Sequence, residues 1–300
     1  MIISNSEVET YNNCERQHYY KFGLGLRPLV DKAAIRLGVY GHYVLESYYR
    51  QGLETNNRRV WYDAAIASIQ ELIDGAKSEQ DHDLISLVTT RFHQYINYYA
   101  DDTSWRIVDV EGTYILEIAP EISYAMTLDL LIQETVGPAR GQYVVIDHKF
   151  IYRFHSIDEI LMNAQIPKYI YTLRQSGFDV RYGMLNEIRS RTGIQDETKL
   201  FNRAVIRPSA VRMRGLIREQ ERTSDLIKRR LERPIANYRE TARRNVAKIT
   251  CGNCDFRLPC SMALDERFDQ ESRILAISYV PNTYGYRHDN DASPDEMSDV

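Results

Sequence analysis

The chain has no apolar run near the roughly twenty residues that cross a bilayer. Its opening, MIISNSEVETYNN, lacks a basic stretch followed by an apolar one. Neither a membrane span nor a signal peptide is therefore expected, and the expected location is the cytoplasm. Only four cysteines occur in 300 residues, and in that compartment they should stay reduced rather than pair as disulfides. No G-x-x-x-x-G-K-[ST] loop is present, so no ATP-driven motor is expected. Internal repeats and long low-complexity segments are missing too. Phenylalanine is scarce, eight residues against twenty-two tyrosines, so the aromatic set is a polar one.

What is present suffices for a globular body. An apolar fraction of 43% supports a core, and the length allows one large domain or two modest ones. The formal net charge of -4 hides an uneven distribution. Residues 203 to 248 hold fourteen Lys/Arg and five Asp/Glu, leaving the rest of the chain acidic. A basic segment on an acidic body can meet phosphates locally while the body holds a divalent cation. The same run also reads as a solvated arginine-rich helix pair.

Residues 4–22 read as a helix opened by Ser4 or Ser6, with Glu7 as a capping-box candidate. Further helices are expected over 33–51, 59–76 and 81–100. From about residue 105 the period changes: 106–118, 124–133 and 142–150 are rich in Val, Ile, Tyr and Thr and read as strands. VGPARG at 136–141 turns the last two into a hairpin. Residues 157–175 return to helix, 182–188 read as a strand, and 208–242 as basic helix. From Pro281 to Val300 the chain has little apolar content and is expected to be disordered. The pattern is that of an α/β (α+β) fold with helical elaborations.

YVVIDHKF, residues 143–150, is the most pointed stretch. In a strand Asp147 and Lys149 share one face and His148 takes the other. Asp129, in TLDLLI, lies on the preceding strand. A hairpin brings the strands about 4.8 Å apart, so Asp129 and Asp147 can share a hard cation such as Mg²⁺. A lysine beside it can orient a water or stabilise charge on a phosphate. By itself the triplet is equally the composition of a cross-strand ion pair. RLGVYGHYVLES, residues 36–47, puts His42 and Glu46 on one helix face, and imidazole suits manganese-class metals. AQIPKYIYTLR, residues 164–174, puts Gln165 and Tyr169 on one face just after the hairpin. Each of these reads alone as a hydrogen-bonded structural pair.

Taken in order, G-x-x-x-H-x-x-L-E at 38–46, a strand Asp, I-D-x-K and Q-x-x-x-Y resemble the RecB-type branch of the PD-(D/E)XK nucleases. The resemblance implies a restriction-endonuclease-like core, a mixed central sheet flanked by helices. It implies Mg²⁺ or Mn²⁺ bound by His42, Asp129, Asp147 and the His148 carbonyl, with Lys149 serving the hydrolytic water. Gln165 and Tyr169 stand beside the site, and Glu111 matches a strand glutamate of many relatives.

The cysteines are Cys14 and the trio CGNCDFRLPC, Cys251, Cys254 and Cys260. One four-thiolate site accounts for all of them and suits Zn²⁺ or an iron–sulfur cluster. The split of one N-terminal and three C-terminal cysteines resembles iron–sulfur nucleases related to AddB and to the CRISPR-associated exonucleases. SEVETYNNCERQHYYKF also resembles their N-terminal motif, with Ser6, Tyr11, Cys14 and Tyr19 in place. This implies a [4Fe–4S] cluster stapling the N- and C-terminal segments.

The expectation is thus a stand-alone deoxyribonuclease, of the kind found in phages or in recombination and defence loci. It is expected to be a single-strand-preferring exonuclease, with a recombination or CRISPR-type protein as a conceivable partner. Residues 1–280 are expected to form one nuclease domain: a helical part to 104, a catalytic core over 105–190, a basic helical part over 200–248 and a cysteine segment over 249–265. DNA contacts are expected from Arg16, Arg212, Arg214, Arg218, Arg229 and Arg230, and Glu46 and Glu111 are accessory candidates at the metal. The competing readings are an inactive module that holds DNA ends and a structural zinc protein.

Overall fold

A computed structural model describes residues 1–282. Of the tail expected to be disordered, residues 283–300 lie outside the described residues. Eight strands are described: β1 (Ile2–Ser4), β2 (Leu26–Pro28), β3 (Trp105–Ala119), β4 (Ile122–Glu134), β5 (Tyr143–Ile151), β6 (Val180–Arg189), β7 (Phe201–Ile206) and β8 (Tyr279–Pro281). The backbone divides into two compact units. One comprises residues 31–116 and 126–219, the other 1–30, 117–125 and 220 onward.

In the first unit the strand order is β3-β4-β5-β6-β7. The β4–β5 and β6–β7 pairs are antiparallel and β5–β6 is parallel, so the sheet is mixed. Alternation sorts its two faces. Leu130 and Ile132 of β4 and Val144 and Ile146 of β5 join one core with Leu37, Val44 and Tyr48 of the helix Ala33–Arg50. Trp61 of Arg58–Asp74 and Ile85 and Phe92 of Glu79–Tyr98 complete it. Val145 takes the other face, where Gly183 of β6 leaves room for Ile166 of the helix Gln165–Gln175. A Cβ at Gly183 would come within 2.4 Å of the Ile166 side chain. Each fully buried aliphatic side chain contributes about 1.5–3 kcal/mol by leaving water.

Several expected elements divide. The helix expected over 157–175 is two, Ile157–Leu161 and Gln165–Gln175. Pro167 lacks an N–H and is tolerated only in a first turn, and the Asn163 side chain caps the second start by accepting from Ile166 N–H at 2.9 Å. The expected basic helix over 208–242 breaks at Pro234 into Ala210–Leu231 and Ile235–Thr241. The expected N-terminal helix starts at the Ser4 cap but breaks at Cys14, whose backbone is extended (φ -165°). β7 was not foreseen; FNRAVI places polar Asn202 and Arg203 in a short strand that pairs only with β6.

In the second unit, β1 pairs in parallel with Ser123–Ala125, and β2 pairs antiparallel with β8. One apolar cluster joins Ile3, Val8, Tyr11, Ile122 and Ile227. Another joins Tyr19, Tyr20, Tyr238, Ala242 and Phe256.

Truncating Leu130, fully buried in β4, to Ala should cost about 2–5 kcal/mol of unfolding free energy. The exposed Ile115 changed to Ala should shift stability by no more than about 0.5 kcal/mol. Urea titration of both variants checks the difference.

Candidate active site and cysteine cavity

The site of the first unit begins with a close approach. Gly41 of the helix Ala33–Arg50 faces the Phe150 ring of β5, and a Cβ there would lie 2.2 Å from it. Only glycine lets the helix settle so close to the strand. The motif reading starts at Gly38, yet Gly38 meets nothing within 4 Å; the glycine that sets the approach is Gly41. The next residue, His42, then reaches Asp129, with Nδ1 3.5 Å from Oδ1.

Asp129 stands where the sheet opens. The β4–β5 ladder runs from Gln133–Tyr143 to Leu130–Ile146 and ends there. One step on, the His148 N–H donates to the Asp129 side chain at 2.6 Å. A carboxylate has taken over a ladder bond, which satisfies the freed N–H and fixes the Asp129 side chain. Burial pushes the Asp129 carboxyl up, but the hydrogen bond and charge of His42, with the hydrogen bond from the His148 N–H, outweigh it, so it is held below its ordinary range.

Glu111 arrives by a slip in β3. Ile107 and Val110 both join the core although they are three residues apart, so the alternation shifts by one between them. Glu111 follows in the left-handed region, φ 53°, a conformation that costs a non-glycine residue energy. Gly112 permits the kink: a Cβ there would meet the Asp109 carboxylate at 1.9 Å. The kink brings Glu111 to His42 and Asp129. Ligand atoms of these three lie within 4.8 Å of one another, the one such trio of His, Cys, Asp and Glu among the described residues. Burial first, then the Asp129 charge, pushes the Glu111 carboxyl up to about 7. An imidazole and two crowded carboxylates, one reluctant to ionise, suit a divalent cation of the magnesium–manganese class.

Asp147 and Lys149 share one face of β5 and form an ion pair at 2.7 Å (Oδ2 to Nζ). Burial raises the Asp147 carboxyl to about 6, against the pull of Lys149. The Lys149 ammonium also donates to Gln165 Oε1 at 3.4 Å. Gln165 Nε2 donates to the Tyr169 hydroxyl at 2.6 Å, which donates to the Thr127 carbonyl at 3.0 Å. Lysine, glutamine and tyrosine thus form one chain ending on β4.

His148 faces the opposite side and is buried. Its ring stacks on Tyr49 (centroids 5.6 Å, 9°), and its Nδ1 accepts from Asn186 Nδ2 at 2.8 Å. Burial pushes its imidazole down to about 3, so it is neutral. Glu46 accepts from Arg50 at 2.5 Å and is not in the close trio. Among the arginines, Arg214 and Arg218 are exposed, and Arg212 donates to the Asn163 carbonyl at 2.8 Å.

In the second unit two of the arginines expected at DNA are engaged within the protein. Arg16 is 2% exposed. It donates to Glu271 at 3.1 Å and to the Arg239 carbonyl at 2.5 Å. Removing such a side chain from its buried carboxylate to meet a phosphate would leave Glu271 short of one of its partners. Arg230 is likewise taken up, by Glu15 at 3.3 Å and Thr241 at 3.0 Å. Arg229 is exposed and pairs with Asp225 at 2.6 Å.

All four cysteines of this unit are free and line one cavity of about 220 Å³ with Tyr20, Arg244, Phe256 and Leu264. Cys14 sits at the break between two helices. Cys251 lies in Lys248–Asn253, Cys254 just past its end, and Cys260 in Arg257–Leu264. Burial raises the Cys254 thiol to about 11, and the neighbouring Cys14 and Cys260 sulfurs add to the shift. The wall is stiff: Tyr20 stacks on Phe256 at 5.2 Å and Phe256 on Tyr279 at 5.0 Å.

A sequence profile of the PD-(D/E)XK nuclease superfamily matches residues 2–261. In structure the chain is similar to a protein from Eubacterium rectale named as a candidate exonuclease, with TM-score 0.48 and 11% identity over 84% of this chain and 88% of that one. It is also similar to SSO0001, with TM-score 0.34 and 14% identity over 72% and 93%. Likenesses this distant carry no argument about chemistry. No curated protein matches the chain in sequence. No described helix is long and apolar enough to cross a membrane.

Metal binding at the trio requires Glu111 ionised. Its carboxyl titrates near 7 against about 4.5 when unfolded, so Mn²⁺ affinity should rise from pH 6 to 8. Without metal, the folded chain holds this proton more tightly than the unfolded one. That contribution to stability is full below about 4.5 and is lost as pH rises through 7. Glu111→Gln should weaken Mn²⁺ by about tenfold or more and flatten its pH dependence, read by calorimetric Mn²⁺ titration.

Proposed function

Because the chain belongs to the PD-(D/E)XK nuclease superfamily, it is a hydrolytic nuclease; from that premise we propose a Mg²⁺- or Mn²⁺-dependent deoxyribonuclease that degrades DNA from free ends and prefers single strands. The observation that carries the reading is the lysine held between an acid and an amide, Lys149 between Asp147 and Gln165, beside the cation-binding trio.

His42, Glu111 and Asp129 would hold the cation, with Asp147 and the His148 carbonyl at its margin. In extended backbone a residue's C=O leaves from the same edge as its N–H, and the His148 N–H already meets Asp129. A bound cation supplies neutralisation of the phosphate charge and a more acidic water. The protein's own groups do the rest. Lys149 aligns the attacking water and offers positive charge to the developing phosphorane-like oxygens. Asp147, with its raised proton affinity, stands ready to take a proton from that water through the lysine. Gln165 and Tyr169 hold the lysine in register and border the path of the strand. The exposed Arg214 and Arg218 neutralise backbone phosphates, which makes binding salt-sensitive.

The proposal includes a [4Fe–4S] cluster on Cys14, Cys251, Cys254 and Cys260. A tetrahedral zinc with bonds of about 2.3 Å holds its sulfurs only about 3.8 Å apart. These thiols form no trio within 4.8 Å among the described residues, yet all face one cavity. That wider ring fits a cluster better than a single ion. Its role is structural, since no thiol lies among the carboxylates of the other unit.

End-labelled linear and closed circular single-stranded DNA, incubated with Mn²⁺, test the activity. The linear strand should be lost and the circle spared, and Lys149→Ala should lower the rate at least about a hundredfold. Cleavage of the circle would make the enzyme an endonuclease; no cleavage by well-folded wild type would favour a DNA-end-binding module.

Protein purified without oxygen should be brown and contain iron and acid-labile sulfide in equal amounts, lost in Cys254→Ser. Stoichiometric zinc without iron would overturn the cluster assignment.

A further inference from the structure

Between the proposed cleavage lysine and Gln165 runs a segment that the chemistry above does not use. It exposes four large apolar side chains: Tyr152 (67%), Ile157 (76%), Leu161 (58%) and Met162 (78%). Scattered exposed apolar residues need no explanation, but four within eleven positions of one anchored segment are a concentration. Loose loops sometimes show such residues because nothing holds them. This segment is held at many points. Ser156 and Glu159 close a capping box on the helix Ile157–Leu161. Arg153 grips Glu159 with two bonds of 2.8 Å. The Phe154 ring lies under the Arg189 guanidinium at 4.7 Å.

The firmest anchor is Glu187 of β6, which is fully buried. It accepts from the His155 N–H at 2.9 Å, from His155 Nδ1 at 2.6 Å and from Asn202 Nδ2 at 2.5 Å. Glu187 is the register partner of Lys149 across β5–β6, and paired residues of adjacent strands share a face. The anchor is therefore bolted beside the lysine, on its side of the sheet. At the far end Arg212 donates to the Asn163 carbonyl at 2.8 Å. A buried carboxylate spent on holding an exposed apolar segment rigid implies that the position of that segment matters.

We propose that residues 152–162 are a platform for the unstacked bases of the single strand being cut. The proposal rests on the nuclease reading and deepens it. Three observations choose bases over a protein partner. The segment begins three residues after Lys149 and ends just before Gln165, and its anchor Glu187 pairs in register with Lys149, so it borders the group that would meet the phosphate. Arginines border it: Arg191 lies over the Tyr152 ring at 5.8 Å and Arg189 over Phe154; of its two acids Glu159 is paired with Arg153, and Asp158 is exposed. Finally, the exposed Tyr152 ring can stack on the faces of bases, which every nucleotide presents regardless of sequence, and Ile157, Leu161 and Met162 offer apolar contact beside it.

The test compares two probes in Ca²⁺: a short fluorescein-labelled oligothymidylate and an abasic sugar-phosphate strand of equal length. Both carry the same phosphates; only one carries bases. Wild type should bind the base-bearing strand about tenfold or more tightly. The variant Tyr152→Ala/Ile157→Ser/Leu161→Ser/Met162→Ser should lose that preference and bind the abasic strand as wild type does. Since all four side chains are exposed, the fold should survive, and urea denaturation checks that it does. Equal binding of both strands by wild type overturns the proposal. So does a variant that keeps the preference, including one whose only change is a smaller oligomer on size exclusion, which would make the patch a contact between copies. Cleavage of the oligothymidylate by wild type in Mn²⁺ separates the two readings. Cleavage without base preference sinks the platform alone, and base preference without cleavage sinks the nuclease reading while leaving a base-binding surface.

Discussion

The bond from the His148 N–H to the Asp129 carboxylate is the point on which the candidate site turns. Up to Leu130–Ile146 the two strands are joined as in any antiparallel ladder. Beyond it a side chain substitutes for the backbone acceptor. The strands can then part without leaving a buried donor unpaired, a defect worth about 1–3 kcal/mol. The substitution also immobilises the acid that His42 and Glu111 approach. Opening the sheet and building the cation site are one event.

Around that point, burial and charge oppose each other in a consistent way. Asp129 is held ionised by donors, whereas Glu111 and Asp147 are pushed toward their neutral forms by burial. Three acids in one low-dielectric corner cannot all ionise without a positive partner. Lys149 supplies one, bound to Asp147. The trio has only the His42 imidazole, itself raised by Asp129 despite its burial. With all three acids ionised, Lys149 and His42 leave the corner net negative, which favours a bound cation.

Much of this geometry was legible in the residue pattern, and the failures are instructive. The period of two put Asp147 and Lys149 on one face and His148 on the other; Asp147 does pair with Lys149, and His148 stacks on Tyr49. The strands 106–118, 124–133, 142–150 and 182–188 were readable because β-branched and aromatic residues cluster there, flanked by turn residues. Glu111 was an accessory candidate at the metal through the family resemblance alone; alternation does not bring it to His42, because its position depends on a slip between Ile107 and Val110. Gly41 and Gly38 look alike in one dimension; only packing tells which one faces Phe150. The residue pattern does not show that Arg16 meets Glu271 and Arg230 meets Glu15, since both partners lie far away in sequence. β7 escaped because a six-residue strand carrying Asn202 and Arg203 shows little apolar signal.

The second unit is assembled from three distant pieces of chain. Its cysteine cavity needs Cys14 and a trio that begins at Cys251. The first unit is complete in sequence by residue 219. On a ribosome adding about 5–20 residues per second, every residue of the carboxylate–lysine site is made before the last thiol exists. Cys14 is made more than two hundred residues before the other three thiols. Closure of the cavity is thus a late step in the life of each molecule, and it distinguishes a finished chain from a truncated one that already carries the carboxylates and lysine of the first unit.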